Sequence, residues 1–107
     1  MRAQYRQGDV LLCAVDAIPA QAKRVPRNGA RVVVAEGELT GHAHAFAAKG
    51  VKLFREKQGK QRSFLSVAAT GARLVHEEHA PILVPQGCYQ LRRQREYAPL
   101  ASRLRRD

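Results

Sequence analysis

Gln7-Gly8-Asp9-Val10-Leu11-Leu12-Cys13-Ala14-Val15 places a turn-forming triplet directly before an unbroken apolar run. A short apolar segment bounded by turn residues reads as a buried strand. Outward from it the same pattern repeats. Asn28-Gly29 is a strong turn dipeptide, and the β-branched Arg31-Val32-Val33-Val34-Ala35 follows it. Further strands are predicted over Leu39 to Ala47, Val51 to Arg55, Ser63 to Ala69, Ala72 to His76, Ile82 to Val84 and Tyr89 to Tyr97. Glycines fall between them at roughly the 8–12-residue spacing of an antiparallel sandwich or barrel. One short helix is conceivable over Asp16 to Lys23, although Pro19 cuts into it unless it occupies the first turn. There is no internal repeat and no linker. The expectation is a single all-β domain over residues 1–107, a small antiparallel β-barrel or sandwich, with a basic C-terminal tail at about 99–107.

A chain of 107 residues has room for one modest core. Tryptophan is absent and aromatics make up 6%, so that core must be mostly Val, Leu, Ala and Ile. No apolar run approaches the ~20 residues that span a bilayer. The N-terminal residues Met1 to Gly8 lack the apolar segment of a signal peptide. Together these point to a cytoplasmic protein with no membrane partner. Cys13 and Cys88 belong to no CxxC pair and are expected to be free, partly buried thiols.

Chemistry concentrates in two places. All four histidines fall in Gly41-His42-Ala43-His44 and His76-Glu77-Glu78-His79. Glu36, Glu38, Glu77 and Glu78 supply four of the nine acidic residues at the same two places. The rest of the chain is basic, with formal net charge +10, so imidazoles and carboxylates share a locally acidic island. That setting favours a bound cation or raised histidine pKa values. On a strand, His42 and His44 share a face about 6–7 Å apart, from a ~3.3 Å rise per residue. Imidazoles so placed can converge on one metal. In the second motif His76 and Glu78 share a face, and a turn at Ala80-Pro81 would bring His79 back to it. Imidazole with carboxylate suits a divalent transition metal: Zn, Fe, Mn or Ni. The metal candidates are therefore His42, His44, His76 and His79, with Glu77 or Glu78 as base or as orienting group.

His42-Ala43-His44, followed by Pro85-Gln86-Gly87 leading into another strand, resembles the two-motif layout of the cupin superfamily. Gly37 and Gly50 flank the first motif. The resemblance covers roughly residues 37–90 in layout and implies a β-barrel with a metal centre. Two of the family's ligand positions differ. Ala47, Ala48 and Lys49 stand where a glutamate is usual, and Gln90 stands where a histidine is usual. His76 and His79 would have to replace them.

Charge supplies a second line. Lys49, Lys52, Arg55, Lys57, Lys60 and Arg62 cluster around a Gln58-Gly59-Lys60 turn, opposed by Glu56 alone. Arg92, Arg93, Arg95, Arg103, Arg105 and Arg106 add to it. Such density favours nucleic acid or another polyanion as partner. Tyr89 and Tyr97 are placed to stack on unpaired bases. Arg92, Arg93, Arg95, Tyr97, Lys57 and Lys60 are the substrate-binding candidates, with Arg93, Arg95 and Tyr97 on one strand face.

Two functions follow. In one, the histidine–glutamate centre cleaves a phosphodiester, RNA-like or otherwise anionic substrate, through a metal-activated water or through histidine acid–base steps. In the other, the domain is a non-catalytic nucleic-acid-binding or assembly module with structural histidines. Pairing into homo-oligomers through edge strands is compatible with both.

Overall fold

Gly8 and Asp9 form a two-residue hairpin loop, closed by Gln7 paired with Val10. Gly8 takes φ of +61°, a left-handed conformation that glycine adopts without steric cost. The loop joins β1 (Gln4–Gln7) to β2 (Val10–Val15). The remaining strands are β3 (Lys23–Val25), β4 (Val32–Glu36), β5 (Ala43–Phe46), β6 (Val51–Arg55), β7 (Ser63–Val67), β8 (Ala72–His76), β9 (His79–Val84) and β10 (Gly87–Arg93). These come from a computed structural model that describes residues 3–27, 29–36 and 42–93, with Glu36 described by its backbone alone.

The strands form two antiparallel sheets, a six-stranded one in the order β1-β2-β10-β7-β6-β3 and a four-stranded one in the order β4-β5-β8-β9. Neither closes on itself, so of the two expected architectures the sandwich-like one is found and the barrel is not. One core joins the sheets. Val10, Leu12, Leu65 and Val67 of the larger sheet pack with Val32, Val34, Phe46, Leu74 and Val84 of the smaller. Phe46 and Leu74 are cross-strand partners and both are fully buried. Burial of each such side chain contributes about 1.5–3 kcal/mol. Period-two patterning is clear in β8, where Ala72 and Leu74 are buried and Arg73 and Val75 exposed.

The Asp16 to Lys23 helix does not form. Pro19 has no N–H to give and crowds a helical turn. Its carbonyl instead accepts from Ala22 N at 3.0 Å, and Lys23–Val25 joins the edge of the larger sheet beside β6. Cys13 and Cys88 are free and half-buried, as expected. No helix among the described residues is long and apolar enough to cross a membrane. Asn28, Gly37 to Gly41 and the basic tail lie outside the described residues.

Candidate metal centre

His76-Glu77-Glu78-His79 is the β8–β9 hairpin itself. Glu77 and Glu78 form its turn, and His76 pairs with His79 across it. The turn expected at Ala80-Pro81 is therefore found three residues earlier, and His79, Ala80 and Pro81 open β9. The residues closing a hairpin are immediate cross-strand neighbours, which brings these two rings to a centroid distance of 4.8 Å. Within the turn Glu78 N donates to His76 Nδ1 at 3.0 Å.

The first motif arrives from β5. Phe46 pairs with Leu74 and Ala45 with Val75, so the next step along the ladder sets His44 beside His76. Their ring centroids are 4.3 Å apart. His42, just before β5, meets His76 edge-on at 5.7 Å. His76 is thus the hub of the histidine cluster, with His42, His44 and His79 around it.

The cluster divides into an open part and a buried part. In the open part, His42, His76 and Glu77 each offer a ligand atom, and all three atoms lie within 4.8 Å of one another. Ligands bonded at about 2.0–2.2 Å to one tetrahedral ion lie about 3.3–3.6 Å apart, so side-chain movement of about an ångström would complete the set. Glu77 is exposed and His42 and His76 are half-buried, which leaves them that freedom. Glu77 Oε1 accepts the N–H of Ala43 at 2.9 Å. That bond, more than any other contact, holds the Glu77 carboxyl below its usual range, so it is ionised at neutral pH. Glu78 stands beside them, its Oε2 3.5 Å from His42 Nδ1.

His44 forms the buried part at 1% exposure. Its Nδ1 lies 2.9 Å from Gln7 Oε1. The Gln7 amide donates to Leu74 O and Ala80 O, each at 2.9 Å, where the β8–β9 register shifts at a bulge. With the amide nitrogen aimed at two carbonyls, the Gln7 oxygen can only accept, so His44 carries its proton on Nδ1. The other nitrogen, Nε2, lies 3.4 Å from Asp9 Oδ1. Burial first, and then the neighbouring His76, hold the His44 pKa below its ordinary value against the opposing pull of Asp9. The acidic island thus does not raise this histidine. Burial alone would push the Asp9 carboxyl up, but the hydrogen bond and charge of Arg93 outweigh it and the net shift is downward.

His79 is exposed and sits against the Gly8 turn. A Cβ built on Gly8 would lie 2.6 Å from His79 Nε2. Gln7, Gly8 and Asp9 are thus the three site residues that sequence reasoning missed. The side chains of Gln7 and Asp9 lie 37 to 84 residues from their hydrogen-bond partners, and nothing in the local sequence of a hairpin turn announces its contacts across the fold.

The basic candidates separate too. Lys57 and Lys60 are exposed in the β6–β7 loop, and Arg92 is exposed on β10. Arg93 donates to Asp9 Oδ2 through Nε at 3.0 Å, and its Nη2 is 2.8 Å from the same oxygen. Arg95, Tyr97, Glu38 and the side chain of Glu36 lie outside the described residues. Tyr89 is no stacking platform. It is 3% exposed, packs edge-on to Tyr5 at 5.9 Å and donates its hydroxyl to Pro85 O at 2.7 Å.

No curated protein and no solved structure matches this chain. A family model does, over residues 6–94, a span that holds nine of the strands whole and the histidine cluster. The chain belongs to that family, a domain of unknown function (DUF8820).

Proposed function

We propose that the domain is a divalent-metal protein in which His42, His76 and Glu77 hold one transition-metal ion, Zn, Fe, Mn or Ni. The single observation behind this is the set of three ligand atoms within 4.8 Å of one another at the open end of the β8–β9 hairpin. Two imidazoles and a carboxylate are a borderline donor set that suits these metals. Three protein ligands would leave a coordination position for water, and zinc held in such a site would lower the pKa of bound water to about 7. The reaction class that fits is hydrolysis of a phosphodiester or similarly charged ester in a strongly basic domain.

Within that scheme the chain's own residues divide the work. Glu78, exposed beside His42, is placed to accept a proton from the attacking water. His79, exposed and next to His76, is placed to exchange protons with solvent. Gln7 and His44 keep the strands beneath in register. A closed structural metal site needs a fourth protein ligand, and the set of mutually close ligand atoms among the described residues holds three. Cleavage of single-stranded RNA by untagged protein, with and without chelator, tests the proposal. Chelator-sensitive cleavage supports it, and chelator-insensitive cleavage assigns the chemistry to the histidines alone.

A further inference from the structure

Arg93 has a second neighbourhood besides Asp9. With Arg55, Lys60 and Arg62 it lines an open cleft of about 640 Å³ between β4 and the β6–β7 loop. Val33 of β4 and Leu91 of β10, both half-buried, supply apolar lining, with the buried Val34 and Ala35 behind them. Its wall backs onto the histidine cluster, because Ala35 pairs with His44 and Asp9 links Arg93 to His44.

The four cations are not equivalent. Arg62 grips Glu56 through two bonds of 2.8 Å, and its guanidinium lies over the Phe64 ring at 5.5 Å. Arg93 is held by Asp9. Arg55 is different: Nε donates to Ser63 Oγ at 3.1 Å, which orients the guanidinium without neutralising it. Lys60 is exposed and has no carboxylate partner among the described residues. Two positive charges therefore stand uncompensated over an apolar lining, where low-dielectric walls strengthen their field.

Arg55 ends β6, and the loop that carries Lys60 is fixed. Glu56 is 4% exposed and its carboxylate also accepts from Arg62 N at 3.1 Å and Gln21 Nε2 at 3.0 Å. Glu56 N in turn donates to Arg62 O at 2.9 Å, and Gln61 is held at φ of +53°. A strand end and a preorganised loop presenting two charges lose little entropy when they take a ligand.

We propose that this cleft binds an organic phosphate ester, with Arg55 and Lys60 as ligands of the phosphate and the apolar lining receiving the body of the molecule. Inorganic phosphate lacks that body and should bind more weakly. A mononucleotide and a nucleotide within a single strand share the chemistry. The inference rests on the phosphate-ester reading of the substrate but needs no metal, so the two can fail separately.

The test is calorimetric titration of the full chain in chelator at low salt. The probes are inorganic phosphate, uridine monophosphate and a six-residue oligouridylate. Arg55→Gln with Lys60→Gln should weaken uridine monophosphate binding at least tenfold. Lys52→Gln with Arg73→Gln, which removes the same charge from exposed outer positions, should change it less than twofold. Tighter oligouridylate binding with a steeper salt dependence would assign the site to a strand, and equal binding to a small phosphate ester. The proposal is overturned if the wild type binds no uridine monophosphate, or if both double variants lose affinity equally. Chelator-sensitive RNA cleavage, measured in parallel, reports on the metal separately.

Discussion

Gln7 Oε1 lies 2.9 Å from His44 Nδ1, and the nitrogen of the same amide donates to Leu74 O and Ala80 O. One side chain from the first hairpin thereby fixes the tautomer of a buried histidine and satisfies two carbonyls at the β8–β9 bulge. It ties the six-stranded sheet to the four-stranded one directly beneath the candidate metal ligands. A rigid floor of this kind matters because metal ligands need support from the residues behind them.

Gln7→Leu should destabilise the fold by about 2–4 kcal/mol, since it strands buried acceptors and the His44 donor together. Urea unfolding followed by far-UV circular dichroism measures it. A change below half a kcal/mol, at the level of ordinary surface substitutions, would mean that the network is not what joins the sheets.

Glu56 gives a pH signature. The hydrogen bond from the Arg62 guanidinium, opposed by burial but aided by Arg62 N, the Arg62 charge and Gln21, lowers its pKa from 4.5 to about 2. Because the folded pKa is the lower one, the stabilisation is complete above pH 4.5 and is lost as pH falls through about 2. Glu56→Gln should therefore unfold more readily than wild type at pH 6, with the difference narrowing as the pH drops towards 2. A difference that stays constant with pH would show that the carboxylate charge is not involved.

Gly8→Ala combines two effects. A φ of +61° costs an alanine about 1–2 kcal/mol, and its Cβ would sit 2.6 Å from His79 Nε2. The exposed ring can swing aside, so a modest loss of stability should accompany a clear shift in the His79 ring resonances. Unchanged His79 resonances would contradict the contact.

The Glu78 amide should report metal loading. Its N–H donates to His76 Nδ1 at 3.0 Å, so the proton of a neutral His76 sits on Nε2. A metal at Nδ1 replaces that bond, and one at Nε2 forces the proton to Nδ1 and breaks it. The loss is about 1 kcal/mol, against the roughly 10–16 kcal/mol of tight zinc sites. In a zinc titration the Glu78 amide should move more than any amide of β6 or β7. A stationary Glu78 signal at saturation would exclude His76 as a ligand.

Much of the fold was legible because it rests on local signals. Val10–Val15, Val51–Arg55 and Ala72–His76 have the bounds that their apolar runs and flanking turns suggest. β1 escaped because Gln4-Tyr5-Arg6-Gln7 has no apolar pattern; a neighbouring strand and a turn make it a strand. In the site, the convergence of His42 and His44 with His76 and His79 followed from the clustering of the residue types. Their division of labour did not. Whether an imidazole faces solvent or a buried amide depends on register between strands far apart in sequence. The same holds for Arg93 and Tyr89, whose positions on β10 read as a rim for phosphates and bases. One is instead held by Asp9, and the other is in the core.

Metal content of reconstituted, untagged protein tests the central claim most directly. Wild type dialysed against zinc and then buffer should retain about one ion per chain by elemental analysis. His76→Ala and Glu77→Gln, each shown by melting to be folded, should retain little or none, while His79→Gln, outside the ligand set, should retain the wild-type amount. A wild type that holds no metal, or a folded His76→Ala that holds as much as wild type, would contradict the account.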